Sequence, residues 1–415
     1  MKEQSNKIYK NFSYISLLVG QTVSEFGGAI GALCNSLFLY EITGSKAAMG
    51  ILWLTYFIPS LILQFFIGPF IDRISRKQIM FVSQFLRGIV FMLPFSLMLF
   101  DQAHPWSLFI IQLTLGMIQP LYVPASLAIL PTLISKQQLT QANAFLDGVL
   151  RLMGFLAPPL GGLLISIIGI KWTYLLVGCL FFLSAVSLMK LNEKPVKNFT
   201  SKEPWLKLIA KGYIYFFSNK QLLWLGILTA FVQFAVGATI VINVPYIIDE
   251  LNGNSFIYGL FMAGYPLGYF FGSMLVSKFQ KFAQKNHVML FGLLMGGASF
   301  VLLGVIHYYP LAIVVEILSG LFFPFFGAQS VALYQKTVPN ELVGQVFSVR
   351  LLIIRSTMPL GILFAGQLGD IIGVRYIYII VGGLICLVAS ITLVFPYFRF
   401  LGNQTLINSN NTLEK

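Results

Sequence analysis

The sequence predicts an all-α polytopic membrane protein with twelve transmembrane helices in two parallel six-helix halves. Three observations carry this expectation: long apolar runs along the whole chain, basic residues gathered on one side of those runs, and an internal repeat at half the chain length. The first is quantitative. Of 415 residues, 57% are hydrophobic and only 10% charged, with a mean hydropathy of +0.82. Soluble domains carry about 25% charged residues, so a water-soluble globule is excluded. Apolar runs of about 20 residues recur throughout, each long enough to cross a bilayer as a helix. A transmembrane barrel would show short alternating segments instead, and none appear.

The apolar runs place spans at approximately 13–39, 47–70, 79–100, 106–133, 143–168, 173–190, 221–248, 256–277, 287–306, 310–334, 345–369 and 374–398. Between the sixth and seventh lies a lysine-rich connector, residues 191–220, with an amphipathic helix expected around Trp205–Phe217 on the membrane surface. The resulting organisation is an N-terminal half (1–190), the connector (191–220), a C-terminal half (221–398) and a tail (399–415). The first apolar run is too long and continuous for a cleavable signal and is expected to remain as a membrane helix.

The formal charge of +13 raises the question of nucleic acid, and its distribution answers it. Twenty of the 27 basic residues fall on the side of the N-terminus, including the six connector lysines; Lys46, Lys171 and Arg375 lie opposite, and Arg87, Arg151, Arg350 and Arg355 lie within spans. Lysine and arginine in short loops set membrane orientation, so both termini are expected in the cytoplasm and the partner is the lipid bilayer. The three cysteines, Cys34, Cys179 and Cys386, sit inside apolar spans and form neither a disulfide framework nor a metal spacing.

The repeat is the third observation. Ile167-Ile168-Gly169-Ile170-Lys171-Trp172-Thr173-Tyr174 returns as Ile371-Ile372-Gly373-Val374-Arg375-Tyr376-Ile377-Tyr378, an offset of 204 residues. The same offset pairs Gly116 with Gly320 and Gly68 with Gly272, while Glu41-Ile42-Thr43-Gly44 matches Glu250-Leu251-Asn252-Gly253 at 209. An offset of half the chain that preserves span number and orientation implies two parallel halves, with substrate bound between them near the midplane.

Between the second and third spans the chain reads Gly68-Pro69-Phe70-Ile71-Asp72-Arg73-Ile74-Ser75-Arg76-Lys77. This stretch resembles the signature loop of the major facilitator superfamily, which joins helices two and three and locks against helix eleven in one conformation. The resemblance implies a conformational latch. Gly68 permits close helix approach, Asp72 caps the helix beginning near Gly344-Gln345, and Arg73, Arg76 and Lys77 anchor the loop; the plain alternative is a topogenic charge cluster. The mate of this loop at Gly272 keeps the glycine and lacks the acid. Ala157-Pro158-Pro159-Leu160-Gly161-Gly162 is similar to the helix-packing motif of family exporters, with alanine at its first position, and implies export; an ordinary packing kink is the alternative. Val123-Pro124-Ala125-Ser126, Gln329-Ser330-Val331-Ala332 and Gln21-Thr22-Val23-Ser24 resemble the macrolide-efflux branch, which also holds siderophore and lipid exporters. Many drug–proton antiporters carry an arginine in span four; residues 106–133 contain no charge.

Charges inside a bilayer are costly and therefore candidates for function. Glu25 and Gln21 lie one turn apart on span one and face one direction. Glu25 either titrates with transport or engages a cationic drug, or it is a structural acid paired with arginine. Glu316 in span ten is the other deep acid, expected on the substrate and proton path with Tyr265 and Phe322. Phe57, Phe231, Phe234 and Phe323 are further candidates for an apolar cavity. Asp147 and Arg151 are one turn apart and are expected to pair, or to latch onto Arg73. Arg87, Arg350 and Arg355 lack local acids and are expected to pair across helices.

The resulting expectation is a secondary active exporter of amphipathic small molecules in a bacterial cell membrane. It works as a monomer by alternating access, with protons as coupling ion and without cofactor, metal or enzymatic activity. Siderophore or lipid export, and a non-transporting scaffold or sensor, are the alternatives. No nucleotide-binding loop for an ATP-driven pump is present.

Overall fold

A computed structural model describes residues 11–66, 74–102, 104–134, 139–193, 205–279, 285–338 and 343–395. Gly68, Asp72 and Arg73 therefore lie outside the described residues, as does the helix start at Gly344 and Gln345 in its side-chain detail. The described chain is helical: α1 (Phe12–Thr43), α2 (Lys46–Phe66), α3 (Arg76–Leu99), α4 (Trp106–Leu133), α5 (Leu139–Met189), α6 (Trp205–Ser218), α7 (Lys220–Pro245), α8 (Ser255–Phe279), α9 (Lys285–Val305), α10 (Tyr309–Thr337), α11 (Val343–Ile372) and α12 (Val374–Val394). Eleven of these are long and apolar enough to cross a membrane; α6, the connector helix, is not. The expected fifth and sixth spans are the two arms of α5, two helices that meet at a break at Gly169, where φ is 79°. With its two arms counted separately, the eleven helices contain the twelve expected spans.

Helix ends follow local chemistry. Asn11 caps α1, its side-chain oxygen accepting from the Tyr14 amide at 3.2 Å, and its own amide reaches the Leu133 carbonyl at 2.9 Å. Gly44, at φ 59°, ends α1 by donating its N–H to the Tyr40 carbonyl. Asn219 caps α7 by accepting from the amides of Gln221 and Leu222. Beyond α7 the backbone relaxes into a π-helical turn, Tyr246–Glu250.

The chain forms two compact units, one of residues Met1–Thr200 with Ile247–Ala263, the other of Ser201–Tyr246 with Gly264–Lys415. In the first, α1 packs along the second arm of α5. The Ser184 and Ser187 hydroxyls donate to the Gly20 and Ser16 carbonyls at 2.6 and 2.8 Å. Water supplies no hydrophobic drive between helices in lipid, so close contact and interhelical hydrogen bonds hold such pairs. In the second unit the same logic pairs α7 with α11 and α9 with α12. The connector helix docks there, with Phe216 fully buried against Tyr334 and the Tyr215 hydroxyl on the Thr337 carbonyl.

The internal repeat is visible as repeated local geometry. The Tyr174 hydroxyl donates to Asn35 Oδ1 at 2.9 Å, and the Tyr378 hydroxyl to Asn243 Oδ1 at 2.5 Å. Gly169 and Gly373 take the same extended left-handed backbone, φ 79° and 87°, which an L side chain resists. A Cβ at Gly116 would strike the Tyr56 carbonyl, and one at Gly320 the Tyr265 carbonyl. Helices α2 and α4 thus approach as closely as α8 and α10.

Candidate functional site

Within the first unit, α1 to α5 enclose a cavity of about 550 Å³. Its α1 wall is Gln21, Ser24, Glu25 and Gly28, the face that one-turn spacing puts together. Helix α2 supplies a cluster of rings: Trp53, Tyr56 and Phe57, with centroids of Tyr56 and Phe57 5.0 Å apart. Helices α3 and α4 add Arg87, Gln112, Gln119, Tyr122 and Ser126, and α5 adds Leu150 and Phe181. Glu25 is exposed into this cavity, whereas Arg87 is only 7% exposed.

Arg87 is held by geometry rather than by a direct acid partner. One of its terminal amines donates to Gln119 Oε1 at 2.8 Å. Its guanidinium lies over the Tyr122 ring at 4.8 Å and faces Phe181 at 5.8 Å, a cation–π seat. Glu25 and Arg87 act on each other electrostatically across the cavity, without an ion pair among the described residues. Gln84, beside them, donates to Ser24 Oγ at 2.7 Å. The cavity therefore joins an apolar, aromatic wall to two opposite charges and several amides, which suits an amphipathic molecule. Tyr122, Gln112, Gln119 and Trp53 were not singled out from sequence. Polar residues at helical spacing on α4 (112, 119, 126) were the available signal.

In the second unit Glu316 is 9% exposed and lies against Gly264, whose Cβ would come within 3.3 Å of the Glu316 side chain. Tyr265 is in electrostatic range of Glu316, and its ring is 6.2 Å from that of Phe323. Phe322 is placed elsewhere, in a separate apolar cavity of about 390 Å³ with Leu275, Val288, Phe291, Leu321 and Phe325. Phe234 packs on Phe364 at 5.3 Å. Glu316 thus lies beside Gly264, the neighbour of Tyr265 on α8, and Phe322 lines a different cavity.

The other candidates fall as follows. Asp147 and Arg151 pair at 2.8 Å along α5 with both side chains more than 60% exposed. Arg76 and Lys77 open α3, and their backbone amides donate to the Glu193 carboxylate at 3.2 and 3.1 Å. The Ser75 hydroxyl donates to the same carboxylate at 2.6 Å. A negative charge at a helix N-terminus is favourable, and Glu193 supplies it from the far end of α5. Ala157, Pro158, Gly161 and Gly162 are all buried. Gly161 faces Ile30 of α1, a Cβ at Gly162 would strike the Ser255 carbonyl, and one at Gly259 would strike that of Pro158. The motif therefore lets α5 approach the beginning of α8 at backbone contact.

Comparison with known proteins agrees with this architecture. The chain is 22% identical over 393 residues to macrolide efflux protein A of Streptococcus pyogenes, covering 92% of this chain and 96% of the relative. It is 25% identical over 396 residues to the staphyloferrin A transporter of Staphylococcus aureus, covering 93% and 96%. The fold resembles that of a bacterial homologue of the iron transporter ferroportin in its inward-facing state, with a TM-score of 0.73 at 18% identity over 91% of this chain and 97% of that one. A family model described as transmembrane secretion effector matches residues 9–413. The chain belongs to this transmembrane secretion effector family, a multi-pass transporter family of the major facilitator type.

Proposed function

We propose that this protein exports amphipathic small molecules by alternating access, with proton influx as the driving force. The observation that carries the reading is the first unit's cavity, which joins the Trp53–Tyr56–Phe57 rings to Glu25 and Arg87. An apolar body finds the rings, and a polar head finds the charges. Glu25, exposed into the cavity, is the group for which substrate and proton compete. Glu316 and Tyr265 are the repeat mates of Gln112 and Tyr56, at offsets of 204 and 209, and both of those line the cavity. On this reading they are the second half's contribution to the path. The halves are residues 1–190 and 221–398, the connector and both termini are cytoplasmic, and the protein works as a monomer. Gly68 to Lys77 form a latch that biases the conformational equilibrium.

The test is a susceptibility panel in an efflux-deficient host, with and without the protein and with and without a protonophore. The reading requires lower susceptibility to some amphipathic compounds, including macrolides, and loss of that protection when the proton gradient collapses. Protection that survives the protonophore contradicts proton coupling. No protection across the panel contradicts drug export.

A further inference from the structure

We propose that the polar end of the first unit's cavity is built for an anionic, acceptor-rich group, a carboxylate, carried on an otherwise apolar molecule. This rests on the exporter reading and narrows its substrate class. Three side-chain atoms around the cavity are buried and lack a hydrogen-bond partner among the described residues: Gln21 Nε2, Trp53 Nε1 and Arg87 Nε. Gln21 and Arg87 are 6% and 7% exposed. All three can donate. Trp53 and Arg87 carry donors only, so the excess does not depend on how an amide is turned. A buried donor left unmet is destabilising, which makes three around one cavity costly unless a ligand or water meets them.

Arg87 fixes the geometry. Its Cζ lies 4.8 and 5.8 Å from the centroids of the Tyr122 and Phe181 rings. Gln119 occupies one terminal amine, and Nε has no hydrogen-bond partner among the described residues. An in-plane acceptor pair is what a guanidinium edge recognises, and a carboxylate supplies it. Glu25 is the one acid among the described lining residues, and it is exposed where Arg87 is buried. A molecule seated with its carboxylate on Arg87 presents a neutral or cationic portion to Glu25. The simpler account is that Arg87 only balances the charge of Glu25. Against it, the hydrogen-bond partner of Arg87 is a neutral amide, not Glu25.

The test measures binding of fusidate, its uncharged methyl ester and erythromycin to the purified full chain in lipid nanodiscs. Tryptophan fluorescence is the readout, and empty nanodiscs correct for partitioning. The wild type should bind the acid roughly tenfold more tightly than the ester, the scale of a charge-assisted hydrogen-bond pair. Arg87→Gln should abolish that preference, Arg87→Lys should keep part of it, and Gln21→Leu should weaken the acid alone. If Arg87→Gln does not fold, the other two variants decide by the same criterion. Equal binding of acid and ester by the wild type overturns the proposal, as does a preference that survives Arg87→Gln. Restoration of wild-type acid binding in the Glu25→Gln/Arg87→Gln double variant also overturns it, since only charge balance would then be at work. A chain that moves erythromycin but treats acid and ester alike keeps the exporter reading and loses this inference. One that selects the acid but transports nothing does the reverse.

Discussion

Glu193 meets three donors at the start of α3, two backbone amides and the Ser75 hydroxyl. Removing its charge weakens all three at once. Glu193→Gln is expected to destabilise the protein by about 1–2 kcal/mol, seen as a lower midpoint of thermal unfolding in detergent. An unchanged midpoint would remove the cap from the account. Glu25 makes a different prediction, because it is exposed into a cavity and few contacts depend on it. Glu25→Gln should leave the unfolding midpoint near that of the wild type while abolishing gradient-dependent efflux, measured side by side on the same preparation. The pairing of Gln21 with Glu25 was legible in sequence, since two polar residues one turn apart in an apolar span must share a face. The seat of Arg87 was not. Its partners Gln119, Tyr122 and Phe181 arrive from other helices, and span number says nothing about which side chains meet.

At the scale of elements, backbone contact between helices is the recurring device. A Cβ at Gly116 or Gly320 would collide with a carbonyl of the facing helix, and backbone cannot move aside as a side chain can. Gly116→Ala and Gly320→Ala should each destabilise by about 1–3 kcal/mol, the usual scale of overpacking. Gly154, in α5 with open space around it, supplies the contrast. Gly154→Ala should be neutral or stabilising by up to about 1 kcal/mol through helix propensity. Similar losses at all three glycines would mean that close packing is not the reason for the first two. The span boundaries were legible to within a few residues because apolar length decides them. The break at Gly169 was legible only as a repeat with Gly373. That the two arms meet there without an intervening loop was not, because the local backbone and not hydropathy determines it.

At the scale of the whole molecule, the distribution of charge predicts orientation. With Cys34, Cys179 and Cys386 replaced, a cysteine reporter at Gln102 should react with a membrane-impermeant thiol reagent in intact cells. A reporter at Asn219 should react only after permeabilisation. The opposite pattern would invert the topology. The proposed latch belongs to this scale too. Asp72→Asn should impair turnover more than substrate binding, because a group that biases conformations does not touch the ligand. Lost binding with normal turnover of bound substrate would contradict that role.

The central claim is that the chain moves amphipathic molecules outward in exchange for protons moving inward, and everted membrane vesicles test it most directly. An acid-inside gradient should drive accumulation of a radiolabelled macrolide or carboxylate amphiphile into vesicles carrying the wild-type chain. The signal should collapse with a protonophore and be absent with Glu25→Gln. Equal accumulation in vesicles with and without the protein would contradict the account and leave a transporter fold in a non-transporting role.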